Sequence, residues 1–391
     1  MKKPLPYSRR NFLKNVSLTL GASAITAPSF AFIPDDANPQ NQTSLPDTLP
    51  GAATTVNKDK LGLALVGLGQ YSTHQLAPAL QETKNVYLAG IVTGTPTKAK
   101  AWKKKYNIPD SNIYNYENFD DIINNKDIDI VYVVLPNSMH AEYVIRAAKA
   151  KKHVICEKPM ATSVEDAERM VQACKENGVQ LSVGYRLHYE PFNKRVMELG
   201  QQQVYGKVKT IKANFSGNFA NGSLDVWRLN KEMAGGGPLM DLGVYCLQGA
   251  CYTVGKTPVA VTAQFGEVTK PLIFHDVEQS IKWKMYFDDG AVAECETSYA
   301  DNGNELSAVA EKGWWKLNPA YNYNGKKGET SDGKIDLPDI FEQAYQMDAQ
   351  AESFQKNKQS ITPGEMGLRD LKIITAIYQS AREGGKKIML T

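Results

Sequence analysis

Gly67-Leu68-Gly69-Gln70-Tyr71-Ser72 follows directly on an apolar run, 61–66, and leads into a segment of helical character that begins near Gln75. A Gly-x-Gly-x-x-small turn between a strand and a helix is the context in which a dinucleotide fingerprint has physical meaning. Gly67 and Gly69 let the backbone approach a pyrophosphate, the helix N-terminus offers free N–H donors and partial positive charge, and Gln70 and Tyr71 belong to the same cradle. Ser72 stands where Gly or Ala is usual, so the packing of helix on strand must accept a hydroxyl. At the end of the next strand an NAD-selective site places a carboxylate against the ribose hydroxyls, but this chain reads Val92-Thr93-Gly94-Thr95-Pro96-Thr97-Lys98. With nothing there to repel a 2′-phosphate, and with Thr93, Thr95 and Lys98 able to bind one, the stretch favours NADP(H) and leaves NAD possible. Lys98 also reads as part of a solvated helix with Lys100, Lys103, Lys104 and Lys105. A third cluster, Glu157-Lys158-Pro159, ends an apolar run at what should be the carboxyl edge of a sheet, where α/β proteins gather ligands.

The elements that must hold these residues alternate. Short apolar runs at 61–66, 86–92, 128–135, 153–156 and 180–183 are separated by helical patterns at 75–82, 97–106, 139–150 and 164–177. That order predicts a parallel sheet covered on both faces, a dinucleotide-binding Rossmann domain over 59–183. After Gly184 the runs 208–215, 259–268, 279–287 and 291–297 alternate in period two with fewer helices between, which predicts an α+β domain over 184–391 built on an open, mostly antiparallel sheet. Thr362-Pro363-Gly364-Glu365 reads as a cap and first-turn proline opening a last helix, which Gly384-Gly385 ends. Trp314-Trp315 reads either as a platform for a sugar ring or as a buried pair in a sheet.

With Glu157-Lys158-Pro159, Pro136-Asn137-Ser138-Met139-His140 and Gly235-Gly236-Gly237-Pro238-Leu239-Met240-Asp241-Leu242-Gly243-Val244-Tyr245, the chain from about Lys60 onward resembles the Gfo/Idh/MocA oxidoreductase family. Gly184-Tyr185-Arg186-Leu187-His188-Tyr189-Glu190-Pro191 and the tyrosine at 245, where many members have histidine, make it most similar to the glucose–fructose oxidoreductase branch and its periplasmic aldose-oxidising relatives. The resemblance implies catalysis by Lys158, Asp241 and Tyr245, with Tyr245 as acid/base and Lys158 favouring its ionised form. Asp241 lies one helical turn earlier and would orient the sugar or Lys158. It further implies substrate contacts from Tyr185, Arg186 and His188, and a cofactor cleft that includes Pro136, Asn137, His140, Glu157, Lys158 and Arg186. Pairing of exposed sheet faces into a homodimer or homotetramer is also implied.

Ser8-Arg9-Arg10-Asn11-Phe12-Leu13-Lys14 matches a twin-arginine export signal, the route that carries proteins already folded. Residues 1–31 hold five basic side chains and no acidic one, a mildly apolar stretch from Val16, and a small-residue cleavage site at Ser29-Phe30-Ala31. The expected location is therefore the periplasm, reached through the twin-arginine machinery. Ser17, Thr19, Ser23, Thr26 and Pro28 interrupt the apolar stretch, so no stable membrane anchor is expected. Residues 32–58, rich in Asp, Asn, Gln, Thr and Pro, read as an extended arm. The net charge of +3 belongs to the signal, because without its five basic residues acidic side chains predominate. Nothing in that balance calls for nucleic acid. Five cysteines without CxxC spacing argue against a disulfide framework or zinc site, and five scattered histidines argue against any other metal site. The expected function is an NADP(H)-dependent sugar oxidoreductase with tightly bound cofactor, oxidising an aldose at C1 to a lactone and passing the hydride to a second sugar. An exported glycosidase or glycoside 3-dehydrogenase, working through transient oxidation, is the alternative. A ligand-binding sensor without catalysis ranks below both, because Lys158, Asp241 and Tyr245 are retained together.

Overall fold

The structure, a computed structural model, describes residues 59–219 and 226–390. The export segment and the arm lie outside the described residues. Six parallel strands form the first sheet: β1 (Leu61–Val66), β2 (Val86–Val92), β3 (Ile113–Tyr114), β4 (Ile130–Val133), β5 (His153–Cys156) and β6 (Leu181–Val183), in the order β3-β2-β1-β4-β5-β6. The order reverses between β1 and β4, so a crevice opens at their carboxyl ends. β1 and β4 are buried throughout, as a sheet covered on both faces requires. A π-helical turn, Ser72–Leu76, runs into the short α1 (Ala77–Ala79), and α2 (Pro96–Tyr106), α3 (His140–Lys149) and α4 (Val164–Glu176) complete the crossovers. Ser163 caps α4 by accepting from the Asp166 N–H at 3.1 Å.

The second sheet has nine strands: β7 (Val208–Asn218), β8 (Ala260–Phe265), β9 (Ser280–Tyr286), β10 (Val292–Ser298), β11 (Ala300–Ala310), β12 (Trp314–Leu317), β13 (Gly328–Thr330), β14 (Gly333–Ile335) and β15 (Ile388–Met389). Their order is β14-β13-β12-β11-β7-β10-β9-β8-β15, antiparallel except where β7 meets β10. Among the described residues five further α-helices follow β6: α5 (Pro191–Gln201), α6 (Lys231–Ala234), α7 (Val244–Val254), α8 (Glu342–Gln355) and α9 (Gly364–Arg382). α7 packs on the inner face of the sheet against β7 and β10. The opposite face carries a ladder of alternating charge, Lys212 beside Glu294 beside Lys284.

Residue 184 divides the sheets but not the packing. Ala344, Met347, Ala351 and Phe354 of α8 share one apolar cluster with Leu61, Leu63, Leu65 and Ile130 of the first sheet. Two local expectations need correction. α9 begins at Gly364 with Pro363 outside it as N-cap, and the Thr362 hydroxyl donates to the Val183 carbonyl at 3.0 Å rather than capping the helix. Trp314 and Trp315 do not form a buried pair. Strand alternation buries Trp315 completely, stacked on Tyr205, and leaves Trp314 40% exposed.

Candidate active site

The glycine-rich turn sits at the carboxyl end of β1, on one lip of the crevice. Gly67 is required by the fold: its φ is +94°, and a Cβ there would lie 2.3 Å from the Val134 carbonyl oxygen. Gly69 has no such reason, since its φ lies outside the left-handed region and a Cβ would meet nothing within 4 Å. A glycine with open space before it fits the need for close approach by a pyrophosphate. The Ser72 hydroxyl, fully buried, donates back to the Gly67 carbonyl at 2.6 Å and so closes the turn from within. Tyr71 reaches across the crevice to Tyr323, with ring centroids 6.2 Å apart. Thr93 and Thr95 are buried, Gly94 is exposed, and Lys98 bends over the turn to donate to the Leu68 carbonyl at 3.1 Å. Burial lowers the Lys98 pKa. These residues together fit a bound dinucleotide.

The opposite lip follows β4. Asn137 donates to the Ala234 carbonyl at 2.8 Å, which ties Pro136-Asn137 to the turn after α6. His140 is wholly buried, its ring nitrogens 2.8 and 3.0 Å from the Leu135 and Pro159 carbonyls. Burial lowers its pKa against the pull of those carbonyls. His140 therefore joins the ends of two loops and is itself wholly buried behind the cleft residues. Glu157 is also buried, accepting from Tyr132 Oη at 2.6 Å and from the Lys158 N–H at 3.2 Å, and burial pushes its carboxyl upward. It holds the strand end from behind.

Lys158 leaves this anchored strand end for the second domain. Its Nζ donates to the Asp241 carbonyl at 2.7 Å and to Asp241 Oδ1 at 3.3 Å, and lies 4.6 Å from the centre of the Tyr245 ring. A π-helical turn, Leu239–Gly243, brings Asp241 and Tyr245 to one side as α7 begins. Asp241 Oδ2 also accepts from Arg228 Nε at 3.2 Å and Tyr299 Oη at 3.1 Å. Burial alone would raise the Asp241 pKa, but Arg228, then Lys158 and the hydrogen bonds, outweigh it and hold the carboxyl at about 2. In the largely apolar α7, Tyr245 and Val254 are the two positions not fully buried. Lys158, Asp241 and Tyr245, distant in sequence, thus converge on one point of the crevice.

The three residues expected to touch substrate diverge. Tyr185 and His188 line a small cavity together with Lys158, Val244, Tyr245 and Gln248. The Tyr185 hydroxyl is engaged with Asp370 at 2.6 Å, and His188 Nε2 meets Gln248 Oε1 at 2.8 Å. Burial takes the His188 pKa down to about 4, so this ring is neutral at physiological pH. Arg186 turns away from the cavity, and each of its nitrogens has a protein partner: Nε on Tyr245 Oη at 3.3 Å, Nη1 on the Glu342 carboxylate, Nη2 on the Tyr321 carbonyl at 2.5 Å. Three of the five guanidinium N–H groups are thus engaged within the protein, which ties Arg186 first to Tyr245 and Glu342. Arg228, Tyr299 and Glu342 were not identifiable from sequence, because their only signal is proximity created by the fold. Among the described residues no group of His, Cys, Asp and Glu is arranged to hold a metal, and no helix is long and apolar enough to cross a membrane.

A dinucleotide cradle facing a lysine–aspartate–tyrosine cluster across a two-domain cleft defines a nicotinamide-dependent oxidoreductase. Residues 61–185 match the oxidoreductase family with an NAD-binding Rossmann fold, and residues 193–321 match the GFO/IDH/MocA C-terminal domain. The chain belongs to the GFO/IDH/MocA family. Among solved structures it is similar to the aldose–aldose oxidoreductase of Caulobacter crescentus, with 39% identity and a TM-score of 0.81 over 85% of this chain and 100% of that one. D-xylose 1-dehydrogenase [NADP(+)] of Haloarcula marismortui is 29% identical over 84% of this chain and 92% of its own length. D-glucoside 3-dehydrogenase of Escherichia coli is 27% identical over 85% and 98% respectively.

Proposed function

We propose that the protein is a sugar oxidoreductase that keeps NADP(H) bound, oxidises an aldose at C1 to its lactone and returns the hydride to a second sugar as an alditol. The observation that carries the reading is the convergence of two cations on Tyr245, with Lys158 Nζ 4.6 Å from the centre of its ring and Arg186 Nε 3.3 Å from its Oη. Likeness to an aldose–aldose oxidoreductase over most of the chain supports the choice of substrate. A bound nicotinamide supplies the hydride acceptor. The chain itself has three tasks. Tyr245 takes the proton of the sugar hydroxyl, Lys158 holds the oxygen, and Asp241, ionised down to about 2, keeps Lys158 in place. Thr93, Thr95 and Lys98 would hold a 2′-phosphate, in keeping with NADP over NAD.

Export by the twin-arginine route accords with this cycle, because a cofactor that stays bound needs no free nicotinamide pool. The open face of the nine-stranded sheet is the surface through which two copies would pair. Incubation with an aldose and an acceptor sugar, without added nucleotide, is expected to yield aldonate and alditol in equal amounts. Likeness to a D-glucoside 3-dehydrogenase favours one second reading, oxidation at C3 of a glycoside. A 3-keto glycoside with no aldonate in the same incubation would establish that reading and overturn the first.

A further inference from the structure

Arg186 is the most completely specified side chain near the cleft. Besides its three nitrogen partners, its guanidinium lies 5.0 Å from the Tyr245 ring centre and 4.5 Å from that of Tyr323. A planar, permanently charged group held at every nitrogen and between two rings has one orientation, and that orientation points Nε at Tyr245 Oη. The support behind it is equally built. Glu342, in the first turn of α8, is fully buried and shared between Arg186 and the Lys326 ammonium, the latter at 2.8 Å. Two cations therefore share one hydrogen-bonded carboxylate, and the Nε edge of Arg186 faces the phenol.

We propose that Arg186 is a positioning residue for the acid/base tyrosine, a second cation that stabilises the Tyr245 phenolate by a directed Nε–H donation, with Glu342 and Lys326 as the frame that aims it. This rests on the reading of Tyr245 as the proton acceptor. The titratable and charged groups around the phenol come from five segments: Tyr71 of the glycine-rich turn, Lys158 after β5, Arg186 and His188 after β6, Asp241 one turn before it, and Tyr321 and Tyr323 after β12. Asp241 is already paired with Lys158 and Arg228, and His188 is uncharged above about pH 4. Lys158 covers the face of the ring, whereas Arg186 addresses the oxygen itself.

Two variants test the assignment. Arg186→Met leaves Glu342 with Lys326, so no buried carboxylate is stranded. Arg186→Lys keeps a charge for Glu342 but loses the fork that aims Nε. Both are expected to move the acidic limb of kcat/KM for aldose oxidation toward alkaline pH, by about one unit for Met, a tenfold change in proton affinity. KM for the aldose should stay within about threefold, since a group that makes no substrate contact contributes no uniform binding. An ultraviolet titration of the phenolate signal that Tyr245→Phe removes should show the same displacement. That titration needs no substrate and is independent of which sugar the enzyme oxidises. A raised KM with an unmoved pH profile and unmoved phenolate titration would make Arg186 a substrate-binding residue and overturn the proposal. If Met does not fold, Lys carries the same two readouts.

Discussion

Tyr245→Phe lowers kcat for aldose oxidation by about a thousandfold, within the usual contribution of a positioned acid or base, and leaves the fold intact. The ring keeps its surroundings in that variant: it packs edge-on against Phe215 at 5.4 Å and lies 6.1 Å from Tyr321. Only the hydroxyl is lost, and its hydrogen-bond partner Arg186 retains Glu342 and the Tyr321 carbonyl. Steady-state rates beside a thermal melt make the check. A variant that melts with the parent and still oxidises aldoses at the parent rate would remove Tyr245 from the chemistry. Rate loss with an equal loss of melting temperature would show a structural tyrosine only.

The second large effect separates two glycines of one turn. Gly69→Val is expected to melt like the parent, because the position has open space before it and an ordinary φ. The new side chain stands where the backbone must approach a pyrophosphate, so nucleotide affinity should fall by more than about a hundredfold, a loss near 2.7 kcal/mol. Gly67→Ala is expected to fail differently. A Cβ 2.3 Å from the Val134 carbonyl at a φ of +94° damages the β1–β4 junction itself, and soluble yield should collapse. The nucleotide released on denaturation, measured per chain for each variant, makes the comparison. Full occupancy in folded Gly69→Val would show that the turn does not cradle the cofactor.

Much of this site could be read locally. The strand–turn–helix around Gly67 and Gly69 is contiguous, and Lys158 ends a strand whose apolar run is unbroken, so local pattern carries both. Tyr245 was legible only through family likeness, since a tyrosine in an apolar helix is by default a core residue. α8 was not legible at all. Glu342, Gln343, Gln346 and Gln350 are completely or almost completely buried, a polar stripe that a sequence reader assigns to solvent. Its partners come from far along the chain: Arg186 for Glu342, Tyr132 Oη for Gln346 at 3.0 Å, and the Val183 carbonyl for Gln350 at 2.9 Å. A polar stripe whose burial depends on residues so far along the chain leaves no apolar periodicity to detect. The same limit hid Arg228 and Tyr299, whose sole common feature is the carboxylate of Asp241. In contrast, the hydroxyl of Ser72 was visible as an oddity of the turn, and the structure supplies its reason in the bond to Gly67.

The central claim, a cofactor that stays in place and is cycled by sugars, is tested most directly by absorbance. Purified holo-protein is followed at the reduced-nicotinamide band while aldoses are added one at a time, with no free nucleotide present. A rise to a single equivalent per chain, reversed when a second sugar is added, is the predicted result. Protein that releases a full complement of NADP on denaturation, yet shows no change with any aldose, would contradict it.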